Sequence, residues 1–275
     1  MQTLNTLNQK LAARMTRMTK EEEAEEDRKA DEIRRKIALE GMAENDSIRS
    51  KIREDVLEAQ RAMSVARLCV PEGYLGKLLK DVRPIDPSVK EAVRQARLYV
   101  DHFERFRKEG IGFCFYGNFG TGKTMTACAI LQELVDKVEG RYITLWQLIK
   151  VVKDASQYGA SEKELNALKK APLLVIDEIG AQQGNSFEEQ VLMQVIDARV
   201  SASLPTIYVS NLYPDYEKDK PGKESLRQKV GNRLFNRIFG KSWFLQFKGE
   251  SQRKRLPSID EMLMGDCWTP NQGLN

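Results

Sequence analysis

Eight consecutive residues carry the clearest chemistry in this 275-residue chain: Gly117-Asn118-Phe119-Gly120-Thr121-Gly122-Lys123-Thr124. They fit the pattern G-x-x-x-x-G-K-[ST], whose glycines let successive backbone N–H groups curl around phosphate oxygens while the lysine reaches the β and γ phosphates. Gly117, Gly120, Thr121, Gly122 and Lys123 would line the phosphates, and the Thr124 hydroxyl would face magnesium. The run stands between an apolar strand, IGFCFY, and a helix, TMTACAILQELV, so bound phosphate meets the positive end of a helix dipole. A tight glycine turn that binds nothing is the bland alternative, and a second matching element argues against it.

That element is Leu173-Leu174-Val175-Ile176-Asp177-Glu178, an apolar strand ending in two carboxylates, with Asp177 54 residues beyond Lys123. Asp177, at the carboxyl end of a strand, is placed to hold magnesium directly or through water. Glu178 suits polarisation of an attacking water, which points to hydrolysis of a bound triphosphate rather than transfer of phosphate to a metabolite. A later strand, IYVSN, ends on Asn211, in the crevice at the strand ends where a parallel sheet binds its ligands. From there Asn211 would orient the water beside the γ phosphate, although asparagine also closes strands at ordinary turns.

Residues 218–255 hold twelve Lys or Arg against three Asp or Glu, a local charge of +9 in a chain whose total is +4. Such a segment meets phosphate or is a solvated basic face, and composition alone does not separate the two. Within it, GNRLFNRIF places Arg233 and Arg237 four apart on an amphipathic helix that buries Leu234, Phe235 and Ile238. An arginine delivered from one subunit to a γ phosphate in the next spreads transition-state charge, an effect of ~10³ to 10⁵ in rate for GTPases. That geometry demands an oligomer.

The elements that must position these residues alternate. After Gly110 come the strands IGFCFYG, RYITLW, PLLVIDEIG and LPTIYVSN, separated by helical stretches, and then a strand with Trp243, Phe244 and Phe247. This order predicts an α/β fold with a parallel sheet flanked by helices on both faces.

The first 67 residues differ: 14 acidic and 14 basic side chains, no proline, no aromatic residue and one glycine, Gly41. They read as helix without a core of their own. Leu4, Leu7, Leu11, Met15 and Met18 share one helical stripe, as do Ile48, Ile52, Val56, Ala59 and Met63. Either the stripes pack on the globular part, or a helical arm carries them to another protein in the helix-in-groove manner, which is the preferred reading.

With 41% hydrophobic and 31% charged residues the chain is neither fibrous nor wholly disordered. No apolar run approaches the ~18 residues of a membrane span and the N-terminus lacks a secretory core, so a cytoplasmic protein without membrane contact is expected. Cys69, Cys114, Cys128 and Cys267 form no CxxC pair, and His102 is the sole histidine, which removes Cys-rich zinc sites and His-based triads.

Taken in order, GNFGTGKT, LLVIDEIG, IYVSN, GNRLFNRI and SQRKR resemble the DnaC-type replicative helicase loaders, in the DnaC/IstB-like branch of the AAA+ ATPases. The likeness runs from about Tyr99 to Arg255. It implies an AAA+ P-loop domain over 99–255, preceded by the arm at 1–67 and a linker with a lead-in helix at 68–98, and followed by a tail at 256–275. Lys123 and Thr124 would be Walker A, Asp177 and Glu178 Walker B, and Asn211 sensor 1. Arg237 falls at the family's arginine finger, acting in trans, and Arg253 at sensor 2, with Arg233 and Arg255 close enough to exchange those roles.

The family's helical insertion, corresponding to Leu145 through Lys170, lines a path for single-stranded DNA. Lys150, Lys153 and Tyr158 there, with Phe187 after Walker B, are the DNA contacts this implies; aromatic faces stack bases at ~1 to 3 kcal/mol each while lysines follow phosphates. For Phe187, a core position at the start of a helix is an equal alternative.

The resemblance also implies the partners: a hexameric replicative helicase of the DnaB type held by the arm, single-stranded DNA, and further copies of the chain in an open spiral. The function would be ATP-dependent helicase loading in the primosome at replication initiation, with DNA-stimulated hydrolysis releasing the loader. Missing Cys and His clusters exclude a zinc-binding N-terminal module. The nearest rival is an IstB-type transposition helper ATPase acting with a transposase. A non-catalytic ATP clamp would not need Glu178 and the arginines. A DnaA-type initiator is disfavoured because about 20 residues follow Arg255, too few for a helix-turn-helix domain.

Overall fold

Strands β1 (Gly112–Gly117), β2 (Gly140–Thr144), β3 (Leu173–Asp177), β4 (Thr206–Ser210) and β5 (Ser242–Phe247) form one parallel sheet in the order β2-β3-β4-β1-β5. A computed structural model describes residues 20–40, 46–158, 162–181, 186–215 and 224–253. The helices are α1 (Lys20–Glu40), α2 (Asp46–Arg67), α3 (Pro87–Asp101), α4 (Phe103–Glu109), α5 (Lys123–Glu133), α6 (Leu145–Tyr158), α7 (Glu162–Lys170), α8 (Ser186–Ser201), α9 (Leu226–Val230) and α10 (Asn232–Phe239).

Every residue of β3 and β4 is buried, which is why they read as unbroken apolar runs rather than alternating ones. One face of the sheet, with Phe113, Phe115, Tyr142, Val175 and Val209, packs against α3 and α5. The other, with Cys114, Ile143, Leu174, Ile176 and Tyr208, packs against α6 to α10. The parallel sheet covered on both faces is the architecture expected from the alternation of the sequence.

Residues 68–98, read from the sequence as linker and lead-in helix, contribute to the core itself. Leu68, Val70, Leu75, Leu79, Val82, Val89, Ala92 and Ala96 are buried in the cluster that holds Phe113 and Val175. Leu68 accepts a 2.7 Å hydrogen bond from Tyr142 N at the sheet edge, and Gln132 of α5 donates to the carbonyls of Tyr74 and Lys77. Asp86 caps α3, with Pro87 in the first turn.

The end of α2 joins this body. Ala62 and Ala66 are buried, and Arg61 pairs with Asp136 at 3.2 Å. Farther from the body Leu57 is 58% exposed, while Ile52 and Val56 on the same helix are half-buried. Asp27 of α1 lies 3.4 Å from Arg67 at the end of α2. The stripe from Leu4 to Met18 and the side chain of Ile48 lie outside the described residues.

On the far face, Arg199 of α8 is fully buried, and among the described residues no carboxylate pairs with it. Its Nε donates to Thr206 Oγ1 at 2.9 Å, Nη1 to the carbonyls of Leu168 and Ala171, and Nη2 to that of Pro205. One guanidinium thereby ties the end of α7 to the starts of β3 and β4. Burial pulls its pKa down to about 10, so it stays charged. Among the described residues no helix is long and apolar enough to cross a membrane.

Candidate active site

Between the end of β1 and the start of α5 the chain doubles back. Gly120 and Gly122 take φ of +70° and +97°, in the left-handed region that favours glycine. A Cβ on Gly120 would stand 2.1 Å from Ser251 Oγ, so the segment after β5 closes the loop on one side. Asn118 Nδ2 donates to Gly249 O at 3.0 Å, Gln252 N to Gly120 O at 2.9 Å, and Thr121 Oγ1 to Asn118 O at 2.8 Å. No side chain caps α5 and no acidic residue occupies its first turn, which leaves a helix N-terminus suited to an anion.

Lys123, 5% exposed, sits beneath that loop. Its Nζ donates to Gly117 O at 3.0 Å and to Asn118 O. Burial pulls its pKa down to about 8; the charge of Asp177 opposes that fall and the charge of Arg253 adds to it. A buried ammonium whose hydrogen bonds among the described residues go to carbonyls is suited to meet an oxyanion.

Asp177 ends β3 with 4% exposure. Its Oδ2 accepts from the Tyr142 hydroxyl at 2.8 Å and its Oδ1 from Glu178 N at 2.7 Å. Both donors are neutral, so neither sets a positive charge against the carboxylate. Together with the half-buried Thr124, second residue of α5, it offers hard oxygen donors of the kind Mg2+ takes alongside nucleotide phosphates. The residues present fit that ion. Glu178 follows in the left-handed region at φ +61°, a conformation that costs a non-glycine residue of order 1 kcal/mol or more. It turns the Glu178 side chain out to solvent while Ile179 returns to pair with Val209 O at 2.9 Å.

Asn211 follows β4 directly. Ser210 pairs with Tyr116, so Asn211 stands level with Gly117 at the start of the loop. Arg253 is exposed beyond β5, and its charge acts on Lys123 and Tyr74 of the same chain. Arg255 lies outside the described residues. The fold thus gathers Gly117 to Thr124, Asp177, Glu178, Asn211 and Arg253 around the carboxyl ends of neighbouring strands. Arg233 and Arg237 are held elsewhere, on α10, by Asp197 of α8. Leu234, Phe235 and Ile238 on the same helix are buried, as the amphipathic reading required.

Lys150 and Lys153 are exposed on α6, whose opposite face buries Leu145, Leu148, Ile149 and Val152. The sequence reading missed Trp146, 72% exposed and one helical stripe with both lysines at spacings of four and three. Its position off the apolar stripe was a usable signal. Tyr142 was missed as well, and there no local signal exists, because its bond to Asp177 depends on the pairing of β2 with β3. The side chains of Tyr158, at the end of α6, and Phe187, in the first turn of α8, lie outside the described residues.

A family model described as IstB-like ATP binding protein matches residues 105–258. The replicative helicase loader DnaI of Bacillus subtilis (strain 168) is 29% identical over 192 residues, which are 67% of this chain and 60% of that protein. The replicative helicase loader DnaC of Escherichia coli (strain K12) is 33% identical over 171 residues, 60% of this chain and 64% of that protein. The chain therefore spans between 60% and 64% of the length of these curated relatives. A crystal structure of the DnaC helicase loader superposes with a TM-score of 0.58 at 24% identity, over 65% of this chain and 100% of that one, which shows a shared fold. The fold class and the family resemblance read from the sequence both hold.

Proposed function

Because the chain belongs to the family of IstB-like ATP-binding proteins, we propose that it is a cytoplasmic ATPase that loads a hexameric replicative helicase onto single-stranded DNA. The reading rests on one observation above the others: buried Lys123 and buried Asp177 converge where a glycine loop meets an uncapped helix, with Glu178 displayed beside them. The loop N–H groups and Lys123 bind the triphosphate. Thr124 and Asp177 would hold Mg2+, which would offset phosphate charge there. Glu178 accepts a proton from the attacking water, Asn211 orients that water, and Arg253 meets the phosphates from its own chain.

Arg237 of a neighbouring copy, with Arg233 as its alternate, completes the site in trans, so a spiral of copies holds ATP at each junction. Loss of the γ phosphate weakens the junction and releases the loader. Residues 1–67 act as the helicase-gripping arm, 68–98 lead into the ATPase domain at 99–255, and 256–275 form a tail. Along α6, Lys150, Lys153 and Tyr158, with Phe187 of α8, follow DNA and stimulate hydrolysis. The matched family carries the IstB name, which keeps a transposition helper acting with a transposase as the second reading.

Co-purification of the full chain with a hexameric replicative helicase, and with a transposase, separates the two. The loader reading expects the helicase to be retained with ATP and lost when residues 1–67 are removed. Retention of the transposase alone would overturn it.

A further inference from the structure

Two arginines lie one turn apart on the exposed side of α10, and one carboxylate holds both. Asp197 Oδ1 is 3.0 Å from Arg237 Nε, and Asp197 Oδ2 is 3.6 Å from Arg233 Nη2. The side chain of Asp197 is 28% exposed against 44% for Arg237 and 73% for Arg233, so the carboxylate is the anchored member. Val195 and Ile196, the residues before it on α8, are fully buried. Oδ1 of Asp197 is itself buried and makes no directional hydrogen bond among the described residues, which leaves guanidinium charge as its compensation. Without Asp197, two cations four residues apart on one helix face would repel.

We infer that Asp197 is the positioning residue of this arginine pair. Resting on the trans-arginine reading above, the inference adds how the finger is aimed. A carboxylate that meets Arg237 at Nε leaves the two terminal nitrogens for an oxyanion on the neighbouring copy. A long side chain must also surrender its rotamer freedom to reach a phosphate, and the ion pair orders Arg237 beforehand. Charge fixed in place before the reaction stabilises a transition state without reorganisation. Asp197 touches neither nucleotide nor water in this scheme; it acts through Arg237.

Subunit mixing tests this. Lys123→Ala copies lack the phosphate lysine but keep intact arginines, so they can lend a finger to copies that lack one. ATP turnover is measured with helicase and single-stranded DNA for Asp197→Asn, Asp197→Ser and Arg237→Ala, each alone and with excess Lys123→Ala. Affinity for a fluorescent ATP analogue is measured for each variant. The expected result is a kcat lowered roughly 10- to 100-fold in both Asp197 variants, with KM and nucleotide affinity unchanged and turnover restored on mixing.

Wild-type turnover in the Asp197 variants beside an inactive, rescuable Arg237→Ala would overturn this inference alone. Lost nucleotide affinity in both Asp197 variants, or a loss that mixing does not restore while Arg237→Ala is restored, would make Asp197 a structural residue and likewise overturn it. Normal turnover by Arg237→Ala would overturn the trans reading, and the inference with it.

Discussion

The Tyr142 hydroxyl donates to Oδ2 of Asp177 across 2.8 Å, from β2 to its neighbour β3, with both side chains buried. Tyr142 pairs with Val175, two residues before Asp177, and so shares a sheet face with both. The bond fixes one carboxylate oxygen while Glu178 N fixes the other, and together they set the orientation of Asp177.

Tyr142→Phe removes this donor and little else. Leaving a buried carboxylate oxygen unpaired costs about 1 to 3 kcal/mol. The Mg2+ concentration for half-maximal turnover is expected to rise several-fold, while nucleotide affinity in EDTA is unchanged. An unaltered Mg2+ dependence would show that Asp177 is held without the tyrosine.

The depressed pKa of Lys123 sets a pH dependence. In the proposed site phosphate would bind the charged amine, and Lys123 loses its proton as pH rises through about 8. ATP affinity is expected to fall by about tenfold between pH 7 and pH 9, with proton uptake on binding above pH 8. For stability the sign is opposite. The unfolded chain keeps the ordinary lysine value of 10.5, so between pH 8 and 10.5 it holds more protons than the folded chain. The burden this group places on the fold is full below pH 8 and relieved as pH rises through that window. Calorimetry of ATP binding in buffers of different ionisation heat reads the proton uptake; its absence at pH 8.5 would contradict the assignment.

Arg199→Leu strips three carbonyls and Thr206 of a shared donor inside the core. A loss of about 3 kcal/mol in unfolding free energy is expected, with nucleotide affinity retained in the folded fraction. Urea unfolding checks this, and a change below about 0.5 kcal/mol would mean that the carbonyls find other donors.

On α6, Trp146→Ala is expected to weaken binding of single-stranded DNA by about 1 to 3 kcal/mol, fivefold or more in Kd, without altering ATP affinity. Quenching of tryptophan fluorescence by oligonucleotide in the wild type, absent in Trp146→Phe, is the matching spectroscopic signature. Unchanged DNA affinity in Trp146→Ala would remove the α6 stripe from the DNA path.

What the sequence disclosed is what is local in the chain. Walker A and the LLVIDE strand are continuous runs whose chemistry depends on neighbours within a few residues, and both fold into the expected strand ends. The amphipathic helix with Leu234, Phe235 and Ile238 buried was legible for the same reason. Tyr142, Asp197 and Arg199 were not, since each acts through a partner strand or helix whose register no run of residues announces. Leu68 to Val82 looked like a linker because its apolar residues follow neither a helical nor a strand period; they are buried by the irregular path that Gln132 fastens against α5. Trp146 could have been found, because a tryptophan outside the apolar stripe of a helix already signals an exposed ring.

The proposed triphosphate site is built from the loop at Gly117–Thr124 and the carboxylate of Asp177. Isothermal titration of Mg2+ and ATP into the folded protein is its most direct test. One nucleotide per chain for the wild type, and none for a folded Lys123→Ala variant, is the predicted result. Absence of uptake by folded wild-type protein, even with helicase and single-stranded DNA supplied, or equal uptake by the Lys123→Ala variant, would contradict it.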